Sequence, residues 1–287
     1  GIRTMALRIF NNLVSFSAQR LLGQNNDRLS QVFSRISSGL RIEKSSDDSA
    51  GLMASEALNT DARTIRQGVR NLNDGLSMLN VADGAIAEQS SIVNRMRELA
   101  MQAATGTIGS TERQSIQLEF NAIRNEMDRI AKTTEFNGLK VLNGDLSSSS
   151  AKIIVLQLGL NSDEVNQINI NRDVNITPTS SANLGLNLHT VANRKSAALA
   201  VENMRSATQN LTDIRARLGA NQSRITRAIN TQLSAAENLT AAGATMKDAD
   251  LAFEFAHLTK EQILVQSSSA MIGQANLFPQ GIIQLLP

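Results

Sequence analysis

The sequence predicts a mainly α-helical fold: a long coiled-coil helical rod with a small β-hairpin region, in which the N- and C-terminal helices pair. Three observations predict it. Aromatic residues make up only 3% of the chain, with no Trp or Tyr, so the core must consist of aliphatic side chains. The whole chain has 3 Pro, which permits long helices. Apolar residues recur in alternating steps of three and four, as they do in helices that pack along one another.

Three central stretches carry this spacing over long distances. The first runs through residues 58–93, with Asp83 and Ser90 as its polar members, and corresponds to a rod of roughly 60 Å. The second covers residues 116–130, and the third repeats every seven residues over 204–239, beyond a polar Gln232. A sustained period near 3.5 residues indicates coiled-coil packing of long helices.

Capping residues and breaks indicate where these helices begin and end. Ser46 is the expected N-cap of the first long helix, with two aspartates in the first turn at its positive end. Two glycines in ATGTIGSTERQ (104–114) predict a break, after which Ser110 or Thr111 is expected to cap the next helix.

Residues 137–188 form a predicted β-rich insert between the helical flanks. The pairs Asn137-Gly138 and Asn143-Gly144 are turn signals. The stretches KIIVLQLGL and VNQINI, joined by a segment containing NSDE, have the composition of short strands.

Narrow apolar stripes mark both ends of the chain. The N-terminal stripe consists of Leu7, Phe10, Val14 and Leu21, and it resumes over 29–40 after a polar break at GQNND. The C-terminal stripe repeats every seven residues and consists of Leu264, Met271, Phe278 and Leu285. Pro279 and Gly281 are expected to interrupt its helix. Each stripe needs a partner to bury it, and the simplest partner is the other terminal helix.

Composition excludes several classes of function. A net charge of +2 from 28 basic and 26 acidic residues gives no basic patch, so no nucleic-acid partner is predicted. The absence of Cys excludes disulfides and thiolate catalysis. The two His have no HExxH context, and the paired aspartates lack the spacing of a calcium loop. The sequence therefore predicts no enzyme activity, no catalytic residue, no metal and no cofactor.

The ends of the chain suggest how it is handled in the cell. No stretch approaches the roughly 20 apolar residues of a membrane span, so membrane insertion is not predicted. The N-terminus lacks the apolar core of a cleaved signal peptide. Met5 has the context of a natural start, which would make residues 1–4 an addition.

Several blocks of the sequence resemble bacterial flagellin closely and occur in that family's order. They are RISSGLRIEKSSDDSAGLMASEAL, VADGAIAEQSSIVNRMRELAMQAATGT, EFNGLKVLNG, RLGANQSRI, MKDADLAFE and QILVQSSSAMIGQANLFPQGIIQLL. The resemblance covers nearly the whole chain except about 146–188. Because that region is short, the chain resembles a short form lacking the variable outer domains.

The resemblance implies a structural subunit that polymerises into the extracellular flagellar filament for swimming motility. Residues 1–44 and 246–287 would pair as the inner core domain, and residues 45–245 would form a helical rod domain with the β-rich insert. It also implies secretion in an unfolded state by the flagellar type III pathway. The implied partners are other copies of the chain, an export chaperone at the C-terminal segment, and the filament cap and hook-junction proteins.

The resemblance also indicates a receptor site. Arg95, Leu99 and Glu119 fall at positions that the family uses for recognition by the vertebrate Toll-like flagellin receptor. Arg95 and Leu99 are four residues apart and share a helix face. The alternative is that these residues build contacts between subunits or a solvated helix surface, and the two uses are compatible.

Two other functions remain as alternatives. A hook–filament junction protein has flagellin-like ends, although the C-terminal block QANLFPQGIIQLL fits flagellin better. A secreted helical effector or adhesin acting as a monomer is the alternative from a different class. Heptad periodicity alone does not separate a filament subunit from another coiled-coil protein.

Overall fold

The computed structural model describes residues 12–159, 161, 163–187 and 189–283, with the side chains of the last helix described as far as Leu277. The helices are α1 (Leu13–Ser38), α2 (Ser49–Ala104), α3 (Ser110–Thr133), α4 (Ile170–Asp173), α5 (Arg194–Lys247) and α6 (Leu251–Ile283). The strands are β1 (Glu135–Phe136), β2 (Leu139–Lys140), β3 (Val155–Gln157) and β4 (Gln167–Asn169). The mainly α-helical prediction is confirmed.

The chain divides into two compact units. The terminal unit consists of Gly1–Thr60 and Leu239–Pro287, and the central unit is Asp61–Asn238. The terminal unit contains α1 and α6, whereas the central unit contains α3, α4 and all four strands.

In the terminal unit, α1 and α6 pack side by side and run antiparallel. Asn12 at the start of α1 donates a hydrogen bond to the carbonyl oxygen of Ala275 near the end of α6. Arg35 near the end of α1 forms an ion pair with Glu254 near the start of α6. The expected pairing of the two terminal helices is confirmed. The polar segment GQNND, which interrupts the predicted apolar stripe, does not interrupt the helix, because α1 is continuous there. Asn25 of that segment is buried and donates a hydrogen bond from Nδ2 to Ser268 Oγ (2.9 Å). This contact with α6 stabilises the helix through the polar segment.

The end of α6 also differs from the expectation. The helix continues through Pro279 and Gly281 to Ile283. A proline removes one backbone donor from a helix, and here that loss does not end α6.

The helix caps differ in two places from those expected. Asp48, rather than Ser46, caps α2, because its Oδ1 accepts the N–H of Gly51 (2.9 Å). Asp47 instead accepts the backbone N–H groups of Lys44 and Glu43, and these hydrogen bonds lower the pKa of its carboxyl. Neither Ser110 nor Thr111 caps α3: Gly109 occupies the N-cap position, without a side-chain hydrogen bond. The expected break between α2 and α3 is confirmed.

The three central seams form the core of the central unit. The fully or nearly fully buried members are Ala62, Ile65, Val69, Leu72, Leu79, Ile86, Val93, Ile116, Phe120, Met127, Met204, Leu211, Leu218 and Ile225. Aliphatic side chains spaced by three and four therefore line one face of each long helix, as the periodicity predicts. Phe120 is the largest fully buried side chain.

The β-rich insert consists of two separate two-stranded antiparallel sheets. Asn137 and Gly138 connect β1 to β2 with φ of 49° and 76°, the geometry of a tight hairpin turn that this dipeptide favours. Strands β3 and β4 pair Leu156 with Ile168 and are shorter than the two predicted stretches. The backbone just after β3 lies close against α2 at Gly68. A Cβ at this position would lie 2.6 Å from the carbonyl oxygen of Leu158, so only glycine leaves room for the contact.

Candidate assembly surface

Large apolar side chains are exposed on the terminal unit. On α1 and α6 they are Leu13, Val14, Phe16, Leu21, Phe33, Leu251, Phe253, Phe255, Ile263, Met271 and Leu277. Phe33, for example, is 65% exposed. When large apolar side chains are exposed together on this scale, they often mark a surface that binds another protein.

The contact face between α1 and α6 combines aliphatic residues, such as the buried Ala18 and Val32, with several polar ones. The buried or half-buried polar residues there include Ser15 and Asn25 on α1 and Glu254 and Glu261 on α6. Ser15 Oγ donates to Asn276 Oδ1 (2.8 Å), and Asn12 Nδ2 donates to the Ala275 carbonyl (2.7 Å). Hydrogen bonds and smaller aliphatic side chains therefore hold the interior of this pair, while its largest apolar side chains, the phenylalanines, face outward.

The predicted stripe residues lie in different environments. Leu7, Phe10 and Leu285, together with the side chain of Phe278, lie outside the described part of the chain. Val14, Leu21 and Met271 are exposed, and Leu264 is half-buried.

The expectation that Val14 and Leu21 pack on the C-terminal helix is wrong. The buried face of α1 begins one residue later, at Ser15 and Ala18, and one residue rotates a helix face by about 100°. The role of the stripe residues in contacts between copies stays a prediction.

The sequence carried a signal for this surface that heptad counting missed. Six of the 8 Phe lie in the two terminal segments: Phe10, Phe16, Phe33, Phe253, Phe255 and Phe278. Phe16, Phe33, Phe253 and Phe255 fall off the predicted stripes and are all exposed. Aromatic residues concentrated in the ends of a chain that is otherwise poor in them indicate a shared interface.

The three receptor-site candidates lie in the central unit, on α2 and α3. Arg95 Nη2 donates to Glu119 Oε1 (2.8 Å), and Arg95 Nη1 donates to Glu98 Oε2 (3.1 Å). These hydrogen bonds, first that with Glu119, raise the pKa of Arg95. Leu99 is only 2% exposed and belongs to the core. The structure therefore brings Arg95 and Glu119 together at the surface, whereas Leu99 points inward.

The described residues contain no group of three His, Cys, Asp or Glu side chains positioned to hold a metal ion. The two His have structural neighbours: the His257 ring lies 4.5 Å from the Phe253 ring, and His189 Nε2 lies 2.9 Å from Asn203 Nδ2. Among the described helices, none has the length and apolar content needed to cross a membrane.

This fold and surface define a class: a mainly helical protein with large apolar side chains exposed on two paired terminal helices. The family model for the bacterial flagellin N-terminal helical region matches residues 9–147, and the model for the C-terminal helical region matches residues 201–286. The chain therefore belongs to the flagellin family.

Curated relatives match over nearly their whole length. The flagellar filament 30.7 kDa core protein of Treponema maltophilum is 35% identical, over 97% of this chain and 99% of the relative. The flagellin of Bacillus subtilis is 36% identical, over 98% and 100%. A crystal structure of Bacillus cereus flagellin shares 30% identity and covers 61% of this chain and 94% of its own, with a TM-score of 0.49.

As a flagellin, the chain is a structural subunit that polymerises into the bacterial flagellar filament, and its place of action is extracellular. Its role in the filament is structural.

Proposed function

We propose that copies of this chain polymerise through the exposed apolar side chains of α1 and α6, and that the terminal unit is the inner core of the filament. The observation that carries this proposal is the exposure of the largest apolar side chains of the α1–α6 pair. Polar residues such as Asn25 and Glu254 are buried, whereas Phe33 and Phe255 are exposed. Burial of those side chains in neighbouring copies supplies the free energy of association at about 25 cal/mol per Å².

The two helices suit an open rather than a closed assembly. Exposed apolar residues lie on both α1 and α6, and Leu13 and Leu277 extend them to the end of the pair where α1 begins. Contacts between non-identical surfaces that do not close into a ring generate helical filaments. The role of Val14, Leu21, Leu264 and Met271 in these contacts is part of the proposal.

Seeded growth tests the proposal directly. Purified protein is mixed with short filament fragments and followed by electron microscopy, and long tubes are expected to grow from the fragment ends. Binding to hook ends without elongation would instead support the hook–filament junction protein. Protein that stays monomeric at every concentration would support a secreted effector or adhesin.

We infer that the chain is secreted by the flagellar export apparatus and that a chaperone binds its C-terminal segment before export. The exposed side chains of Ile263, Met271 and Leu277 support a chaperone, because before assembly these apolar groups would otherwise be in contact with water. The filament cap and hook-junction proteins are the other inferred partners. Loss of the protein from the culture medium in a strain without the export apparatus, with unchanged synthesis, is the expected result.

We propose that Arg95 and Glu119 also contact the Toll-like flagellin receptor, with Leu99 supporting them from the core. Both charged side chains are about half exposed and joined at 2.8 Å. Such an exposed pair contributes little to stability, so its charges are free for use in an interface.

Changing Arg95→Ala is expected to lower receptor activation by monomers at least about tenfold, because an arginine anchor of an interface contributes about 2 kcal/mol when truncated. A reporter-cell assay measures the response, and intact filaments are expected to activate poorly. The matched control is Arg205→Ala, which breaks a similarly exposed Arg–Glu pair on α5. An Arg95→Ala response equal to that of the control would contradict the proposal.

A further inference from the structure

Two buried carboxylates lie one heptad apart on the face of α6 that contacts α1. Glu254 is one of them, and its carboxylate forms an ion pair with Arg35 at 3.7 Å. Glu261 is the other and is only 5% exposed. Its Oε2 is buried and has no hydrogen-bond partner among the described residues. A buried carboxylate oxygen without a partner is costly, so its retention calls for a partner in another state of the molecule.

The antiparallel register identifies that partner. Moving seven residues back along α1 from Arg35 leads to Arg28, and moving seven forward along α6 from Glu254 leads to Glu261. Because the two helices are antiparallel, the second pair occupies the equivalent position one heptad along. Arg28 is exposed, and no ion pair within 4 Å joins it to Glu261 or to another described residue. The two residues of a second Arg–Glu contact are thus in equivalent positions, but they do not form an ion pair in the separate chain.

We propose that Arg28 and Glu261 form an ion pair when copies of the chain assemble, and that this pair fixes the register of α1 against α6. In the separate chain the exposed guanidinium of Arg28 keeps its water, and moving it against the buried Glu261 would cost that hydration. When neighbouring copies cover α1, the guanidinium loses that water, and the buried carboxylate of Glu261 compensates for the loss.

The register matters because it sets which exposed side chains of α1 and α6 lie side by side. Contacts such as the hydrogen bond between Asn25 and Ser268 (2.9 Å) and the ion pair between Arg35 and Glu254 (3.7 Å) already define it, and a second ion pair adds a further fixed point. Buried polar and charged residues are the usual means of fixing register in paired helices. The exposed apolar side chains of both helices then present one fixed pattern to the next copy.

A double-mutant cycle on filament assembly tests the proposal. Arg28→Gln and Glu261→Gln are each expected to raise the critical concentration about tenfold, and the double variant is also expected to raise it about tenfold, because one coupled contact is lost in each case. The matched controls are Asp27→Asn and Lys260→Gln, which remove charges at exposed neighbouring positions and are expected to change it less than twofold. Circular dichroism verifies that each variant retains helix content.

Two results would overturn the proposal. One is a double variant whose effect equals the product of the two single effects, because the residues would then act independently. The other is a wild-type filament structure in which the Arg28 guanidinium and the Glu261 carboxylate lie more than 4 Å apart. A filament structure with the two groups in contact, together with non-additive effects, supports it.

Discussion

Removal of residues 262–287 is expected to abolish filament growth while the central unit remains folded. The deletion takes away Ser268, Ala275 and Asn276, which bond Asn25, Asn12 and Ser15 across the α1–α6 pair. Without these partners, α1 loses most of the surface that satisfies its buried polar groups. A single helix with a narrow contact face is marginal in water, so the remaining terminal segments lose the geometry needed for assembly.

The measurement separates assembly from folding. Seeded growth by electron microscopy is expected to show no elongation, whereas thermal unfolding followed by circular dichroism is expected to retain the transition of the central unit. The deletion leaves residues 61–238, which form that unit, unchanged. Normal elongation by the truncated protein would show that the tail is dispensable. Loss of the central transition would show that the two units do not fold independently.

The long central helices could be predicted from the sequence because one physical requirement dominates them. Their apolar residues must lie on one face, and aliphatic side chains spaced by three and four leave little choice of structure. Residues such as Leu72, Phe120 and Met204 are fully buried where the pattern places them. The break between α2 and α3 was also predictable, since two glycines in a short segment disfavour a continuous helix.

The terminal pair could be predicted only in outline. Its apolar stripes indicate a need for burial, but the pattern does not say whether the partner is the other helix or another copy. Val14 and Leu21 satisfy the heptad rule and are nevertheless exposed, whereas Ser15 and Asn25 are buried. The second part of the stripe does mark the contact face, since Val32 is buried and Leu29 and Ile36 are half-buried. The heptad pattern therefore assigns the contact face correctly in only one of the two parts of α1.

The receptor-site candidates could also be predicted only in part from the sequence, for a different reason. A spacing of four places Arg95 and Leu99 on one side of α2, yet Leu99 belongs to the buried core of the central unit whereas Arg95 is exposed. The contact between Arg95 and Glu119 joins residues 24 positions apart, across the turn between α2 and α3. Sequence spacing does not fix a tertiary contact of this kind.

Replacement of two exposed aromatic residues, Phe33→Ser with Phe255→Ser, is expected to raise the critical concentration for assembly roughly a thousandfold. Phe33 and Phe255 are 65% and 52% exposed in the separate chain, so burying them against neighbouring copies contributes about 2 kcal/mol each. Each 1.4 kcal/mol corresponds to about tenfold in an equilibrium constant. The free energy of unfolding of the monomer is expected to change less than assembly does, because each side chain is more than half exposed there.

Two further variants distinguish loss of a contact from loss of the fold. Val165→Ser removes an apolar side chain that is also exposed, at the β3–β4 hairpin, and is expected to assemble normally. Phe120→Ala removes the largest fully buried side chain and is expected to lower the free energy of unfolding by about 3–5 kcal/mol. If the double variant assembled as well as Val165→Ser, the outward faces of α1 and α6 would not be the assembly surface. If it unfolded as readily as Phe120→Ala, its aromatic rings would belong to the fold of the monomer instead.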